Sequence, residues 1–513
     1  MNTTTYTLDQ RIAANKNNNS QPDYEVIVIG AGFSGIGAGI RLKDANIESF
    51  VILEQASDLG GTWRDNTYPG IAVDITSLSY SFSFEQNPNW SRLFAPGKEV
   101  QQYANHCTDK YGLRDHMQFN VKVKKAVFDS KNHIWNMELE DSRTISTRFV
   151  INGTGALTQP KRPDIPGIDT FQGKQMHSSR WDHDYDLNGK RIAIIGTGAT
   201  AVQLVPTLAP QVKQLDVYQR TPIWILPKRD YVVPSVIQTL FSKVKGLQSA
   251  ARMMASAATE LVMVMGIVYN KQFPGLAKKA QAICLNNLNQ QVKDPALRKK
   301  LTPDYGFGCK RPSFSNEYFK SFTRDDVDLI TSPIKKITKN SIITNDGIER
   351  EIDTLILATG FSVFEKGNLP TYKIYGIDGQ EIDEFWEQNR YQAYEGATIP
   401  GFPNYFAILG PYSISGASWF SMVEAQTRHA LRCINHARKK DATYVEVTRQ
   451  ANDKYFNDVL ERQKNTIFFN NACGTSNSYY FNKHGDAPFL RPSSGLEMWF
   501  RSHTFPLRDY IFK

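Results

Sequence analysis

The stretch YEVIVIGAGFSGIGAGIRLKDAN, residues 24–46, decides the fold class of this 513-residue chain. Val26 to Ile29 are four β-branched residues in succession, the pattern of a strand buried on both faces in a parallel sheet. A glycine-rich turn and a helix-forming run follow, and SFVILEQ (49–55) reads as the next strand. Working outward, the same order recurs at RIAIIGTGATAVQLVPTLA (191–209) and QLDVYQRTP (214–222). Two βαβ units predict an α/β fold with two Rossmann-like dinucleotide-binding domains. Between them, 121–141 and 143–155 read as antiparallel strands that complete the first domain. From about 234 to 300 the text becomes helix-rich, an expected insertion into the second domain. Strand-like text returns at 328–347 and 351–361.

The two turns differ at one matched position. In the first, Gly30 allows the tight turn, Gly32 lets backbone approach a pyrophosphate, and Gly35 lets the helix pack on the strand. Glu54 ends the following strand, where a carboxylate can accept hydrogen bonds from both ribose hydroxyls. In the second turn, Gly196 and Gly198 keep these roles and Ala201 takes the packing position. Arg220 falls at the same offset from Gly196 as Glu54 does from Gly30. A guanidinium there suits a 2′-phosphate. The first site therefore fits FAD or NAD and the second NADP, with Thr221 as a further phosphate contact. A chain holding one site of each kind is a flavin reductase of some sort.

Composition narrows the class further. The chain is 41% hydrophobic and 22% charged, as in ordinary globular proteins. Its formal charge of +9 is scattered rather than clustered, which fits anionic cofactors better than nucleic acid. Five cysteines lie far apart with no Cys-x-x-Cys pair, so the reading is cytoplasmic, with neither a disulfide framework nor a metal site. The first 23 residues read as a disordered lead rather than a signal peptide. The apolar window AARMMASAATELVMVMGIVYN (250–270) contains Arg252 and Glu260, and its strongly apolar run of about eight residues falls short of the roughly 20 a spanning segment needs. It is expected as a buried or surface-lying helix, with no integral membrane segment. Oligomeric state is not readable.

With the turns placed, FQGKQMHSSRWD (171–182) resembles the Phe-x-Gly-x-x-x-His-x-x-x-Trp-(Pro/Asp) fingerprint of type I Baeyer–Villiger monooxygenases. GGTWRDNTYPGIAVD (60–74) resembles a second pattern of that family, and similarity continues through CKRP (309–312), ATGF (358–361) and GFPNYFAILGP (401–411). The resemblance implies FAD and NADPH as cofactors, and a ketone and dioxygen as substrates. It also implies conversion of the ketone to an ester or lactone through a flavin peroxide, with sulfide oxidation as a possible side activity.

It implies residue roles as well. Arg311 is the active-site cation and Asp74 its partner; Lys310 joins Arg220 on the 2′-phosphate. Gly61, Trp63, Tyr68 and Gly360 shape the cofactor sites, and His177 and Trp181 couple the two domains. Where the family commonly has Ser-Trp-Tyr over the nicotinamide, this chain has Ser478-Tyr479-Tyr480, leaving Tyr479 as the cofactor contact. The expected division is a lead at 1–23, an FAD domain at 24–158 and 361–513, an NADP domain at 170–225 and 309–357, and a helical insertion at 226–308. A disulfide reductase would share both turns but needs a redox-active cysteine pair beside the flavin. Two other readings stay open: a flavin monooxygenase that oxidises sulfur or nitrogen, and a redox sensor that holds FAD and NADP without turnover.

Overall fold

The computed structural model describes residues 21–513 except 364, 369, 416, 417, 477 and 479, so most of the expected lead lies outside the described residues. The run at 24–29 is a strand, Tyr24–Ile29, whose Val26, Ile27 and Val28 are fully buried. It pairs in parallel with Phe50–Leu53 on one side and Thr144–Asn152 on the other. The antiparallel strands Val123–Asp129 and Ile134–Leu139 extend this sheet as the sequence predicts. From the far end of the chain, Lys373–Tyr375 and Tyr405–Ala407 join it in parallel, the second beside Thr144–Asn152.

The second sheet is wholly parallel. Its order is Val327–Ile330, Gln214–Tyr218, Arg191–Ile195, Thr354–Leu357 and Lys174–His177. Ile192, Ile194, Leu215, Val217 and Ile356 are completely buried in it. The fingerprint strand therefore forms an edge of this sheet rather than a free linker. The two chain crossings between the sheets run side by side: Lys161 donates to the Gly360 carbonyl at 2.8 Å, and Ser362 to the Gln159 carbonyl at 3.0 Å.

The helix-rich segment comprises Ser235–Lys243, Leu247–Met263 with a π-helical turn Val264–Val268, Pro274–Gln291 and Pro295–Leu301. Short parallel strands Ile225–Leu226 and Ser313–Phe314 close its base. It reaches the first sheet's loops, where Leu93 donates to the Tyr231 carbonyl at 3.0 Å and Gln238 to the Trp90 carbonyl at 3.0 Å.

Two sequence expectations are corrected. The helix spanning Leu247–Val268 is 22 residues long and apolar enough to cross a membrane by length and composition, because alanines and glycine continue a run that looks short when only large side chains are counted. Only 22% of its most apolar 18-residue window is buried, so it lies at the protein surface rather than in the core. Second, Cys309 and Cys473 form a disulfide across 164 residues of sequence, their Cα atoms 5.1 Å apart. Spacing could not reveal it, since only the tertiary fold brings the two together. Cysteine usage consequently gives no argument for a cytoplasmic location. Cys107, Cys284 and Cys433 are buried free thiols. Peptide mapping of the unreduced protein should recover residues 309 and 473 in one cross-linked fragment; alkylation of all five thiols after denaturation without reductant would refute the pairing.

Candidate active site

The first turn is built by close approach. The helix Phe33–Asp44 starts after Gly32, and a Cβ on Gly35 would lie 1.8 Å from the Gly30 carbonyl oxygen, so only glycine permits this packing. The cleft in front of the turn is lined by Gly30, Gly32, Glu54, Gly61, Trp63 and Tyr80 among others. Glu54 is 5% exposed. Its carboxylate accepts from the Ala31 and Ala56 backbone N–H groups at 2.8 and 2.9 Å and pairs with Arg64 at 3.2 Å. These contacts fix it at the end of the strand Phe50–Leu53, where its remaining lone pairs can take ribose hydroxyls. An adjoining cleft of about 990 Å³, walled by Arg64, Lys122, Arg180 and Trp181, gives room for the rest of a dinucleotide. The residues present therefore fit FAD.

The second turn repeats the arrangement, with Gly198 preceding the helix Ala199–Leu208 and Ala201 fully buried against the sheet. Thr197 donates its hydroxyl to the Thr221 carbonyl at 2.7 Å, so Thr221 braces the turn with its backbone. Arg220 is exposed at the end of Gln214–Tyr218. Lys310 comes from the far side of the insertion to lie near it. Burial pushes the Lys310 ammonium below its ordinary value of 10.5, and the Arg220 charge pushes it the same way. A phosphate beside both cations would reverse that effect.

Arg311, the next residue, faces the other way. Its Nε and Nη2 donate to the same Asp74 oxygen at 2.9 and 2.8 Å. Tyr80 stands beside this pair: burial chiefly raises the pKa of its phenol well above the usual value, and both charges act on it as well. The Trp63 indole donates to the Tyr80 hydroxyl at 2.9 Å, and both residues line the Glu54 cleft. No helix follows Asp74, so it does not act as an N-cap. Tyr80 was not singled out from sequence, because an aromatic in a loop has no spacing signature.

The segment that ends in Asp74 is clamped to the second domain. The Tyr68 hydroxyl donates to Gln203 Oε1 at 2.8 Å, and Gln203 Nε2 donates to the Ala72 carbonyl at 3.0 Å. Burial raises the Tyr68 phenol to about 12, so it stays a donor across the neutral range. His177 bonds the Gly360 carbonyl at 3.2 Å and Ser179 at 2.9 Å; burial holds its imidazole below the usual value, favouring the neutral form. Beyond it, Arg180 approaches Asp65 at 3.6 Å and His183 bonds Thr67 at 2.8 Å. Trp181 packs half-buried against the second core. Tyr479 lies outside the described residues.

Gly70 is the tightest point of this clamp. At φ +83° an added Cβ would lie 2.4 Å from Thr207 Oγ1. Gly70→Ala should lower stability by about 1–3 kcal/mol from backbone strain and collision; a thermal midpoint equal to wild type would show that this contact does not hold the domains.

The comparisons agree with this geometry. A family model described as pyridine nucleotide-disulphide oxidoreductase matches residues 27–274. No cysteine lines the Glu54 cleft, so the feature that gives that model its name is not found there among the described residues. Among solved structures, a cyclohexanone monooxygenase from Rhodococcus sp. Phi1 bound to NADP+ superposes with a TM-score of 0.84 at 25% identity, covering 96% of this chain and 99% of that one. OTEMO in complex with FAD and NADP superposes at 0.82 with 26% identity, over 96% of this chain and all of that one. Among curated proteins, a Baeyer-Villiger monooxygenase of Streptomyces coelicolor is 36% identical over 94% of this chain and 92% of its own length. Another, from Pseudomonas aeruginosa, is 38% identical over 86% of this chain and 82% of its own. With this identity running across both nucleotide turns and the segments that join them, the chain belongs to the type I Baeyer–Villiger monooxygenase family.

Proposed function

We propose that this chain uses NADPH and dioxygen to convert ketones to esters or lactones, with Arg311 as its catalytic cation. The observation that carries the reading is the Arg311–Asp74 pair, whose two charges act on Tyr80, a residue that lines the cleft that fits FAD. Bound FAD, reduced by NADPH, would supply the activation of dioxygen. One oxygen atom enters between the carbonyl carbon and its neighbour, and the other leaves as water.

The residues of this chain then have separable tasks. Gly30, Gly32, Gly35, Glu54 and Gly61 would hold FAD, with Trp63 and Tyr68 keeping the cleft in shape. Gly196, Gly198 and Ala201 would seat the pyrophosphate of NADPH, with Arg220, Lys310 and Thr221 around its 2′-phosphate, and Gly360 would complete the cofactor sites. Arg311 would stabilise the negative charge that develops on the ketone oxygen, and its guanidinium cannot be titrated away at working pH. Asp74 would aim that guanidinium. His177 and Trp181 would couple the two domains, since their contacts lie at the paired crossings. Tyr479 is proposed as a further contact to NADP. Oxidation of sulfur or nitrogen does not need a cation held for an oxyanion, so the pair favours the ketone reading.

Arg311→Ala should retain flavin and NADPH oxidation but lose ester formation by about a hundredfold or more, the scale of a lost oxyanion contact. Gas chromatography of products from a panel of linear, cyclic and aryl ketones reads this directly; wild-type ester yield in the variant would sink the assignment. Arg220→Glu should weaken NADPH by about 1.5–3 kcal/mol, the range for a charged hydrogen bond, and leave NADH nearly unchanged. Equal effects on both in titration calorimetry would remove the phosphate argument.

The lowered Lys310 gives a pH test. Phosphate binding favours its charged form, so NADPH affinity should fall as pH rises through a value below 10.5 while NADH affinity stays flat. Lys310→Met should abolish the difference in slope.

A further inference from the structure

The helix Leu247–Met263 is built inside out. Its inward face is polar: Gln248 donates to the Asn87 carbonyl at 2.7 Å, Arg252 to the Ser81 carbonyl at 3.3 Å, Ser256 bonds Ser79 at 3.0 Å, and Glu260 accepts from the Gly495 backbone N–H. Its outward face is apolar. Met253, Met254, Leu261 and Val262 are each more than 60% exposed, and the exposed Ala250, Ala257 and Ala258 continue the stripe at helical spacing. A surface helix of a globular protein ordinarily turns its apolar stripe to the core.

The neighbouring helix Gly495–Thr504 repeats the inversion. Glu497 pairs inward with Arg462 at 2.6 Å and Arg501 pairs inward with Glu395, whereas Leu496, Trp499 and Phe500 are 72%, 51% and 57% exposed. The Glu260–Gly495 contact brings the start of this helix against the C-terminal part of the first, so the two apolar stripes meet at their ends.

We propose that this double stripe is a docking face for an anionic lipid bilayer, on which the protein lies peripherally. Charge identifies the occupant. From residue 231 to 293 the chain has seven basic residues against one carboxylate, Glu260, which is turned inward. Lys243 and Lys245 at one end of the helix and Lys271, Lys278 and Lys279 beyond the other are all exposed. An apolar stripe bordered by lysines, with an exposed Trp, suits the lipid headgroup boundary. A second copy packed on the same face by twofold symmetry would set those lysines against themselves. The four inward polar anchors hold the helix along the protein surface, so it lies on the bilayer and does not span it. Ser79, the partner of Ser256, precedes Tyr80 on the cleft wall, so the inward face of the helix abuts the loop that lines the cleft that fits FAD. Binding itself is independent of the reaction and is read without turnover.

Flotation of the full-length holoenzyme with vesicles of mixed phosphatidylcholine and phosphatidylglycerol tests the proposal. Wild type should float with these vesicles, and high salt or pure phosphatidylcholine should release it. Met254→Glu with Leu261→Glu should cut the partition at least about tenfold while NADPH oxidation in vesicle-free buffer and the thermal midpoint stay unchanged. Should that variant misfold, Lys243→Glu with Lys245→Glu, at an exposed helix end, should weaken partition to anionic vesicles alone. Absence of flotation by wild type, or equal flotation by well-folded variants, overturns the proposal. A concentration-dependent dimer in sedimentation velocity that Met254→Glu with Leu261→Glu dissolves overturns it in favour of a second copy.

Discussion

A guanidinium and a carboxylate 237 residues apart in sequence meet at 2.8 Å, and the rest of the site is arranged around that contact. Six consecutive residues, 309–314, tie the elements together. Cys309 is bonded to Cys473, Lys310 lies toward Arg220 on the second nucleotide turn, Arg311 holds Asp74 on the first domain, and Ser313–Phe314 pairs with Ile225–Leu226. A stretch so short has no slack. Moving Arg311 relative to Asp74 also moves Lys310 relative to Arg220, so the cation for one cofactor site is in register with the cation for the other.

The carboxylate side is equally constrained. Asp74 ends a segment held on the helix Ala199–Leu208 through Tyr68, Gly70 and Ala72. A second set of contacts, from His177 to Gly360, Arg180 to Asp65 and His183 to Thr67, sits where the chain crosses between the sheets. These contacts are largely polar, with Tyr68 and Ile71 adding apolar packing against the second core. Interfaces of that kind can re-form after small relative motions, while the packed sheets move as rigid bodies.

Electrostatics links the cofactor sites to the outer surface. The +9 formal charge appears scattered in the sequence, yet the fold places cations at the second nucleotide turn, at Arg311, and along the rim of the inverted helices. In each place the neighbouring ligand, as proposed, carries negative charge or develops it during the reaction.

The sequence by itself determined the two sheets, because a buried parallel strand followed by a glycine turn needs only local pattern: Val26 to Ile29 and Ile192 to Ile195 say as much as the coordinates do. It also placed Glu54 and Arg220 by equal offset, and the family resemblance paired Arg311 with Asp74. Tertiary structure alone decided the rest. Tyr80 and Gln203 enter the site through contacts that no spacing encodes, and Cys309 meets Cys473, 164 positions further along the chain, only once the segment between them has folded. The helix at 247–263 shows the reason most plainly. Its sequence specifies which residues share a face, but whether that face looks inward is set by what the neighbouring loops offer, and here they offer carbonyls and hydroxyls to its polar side.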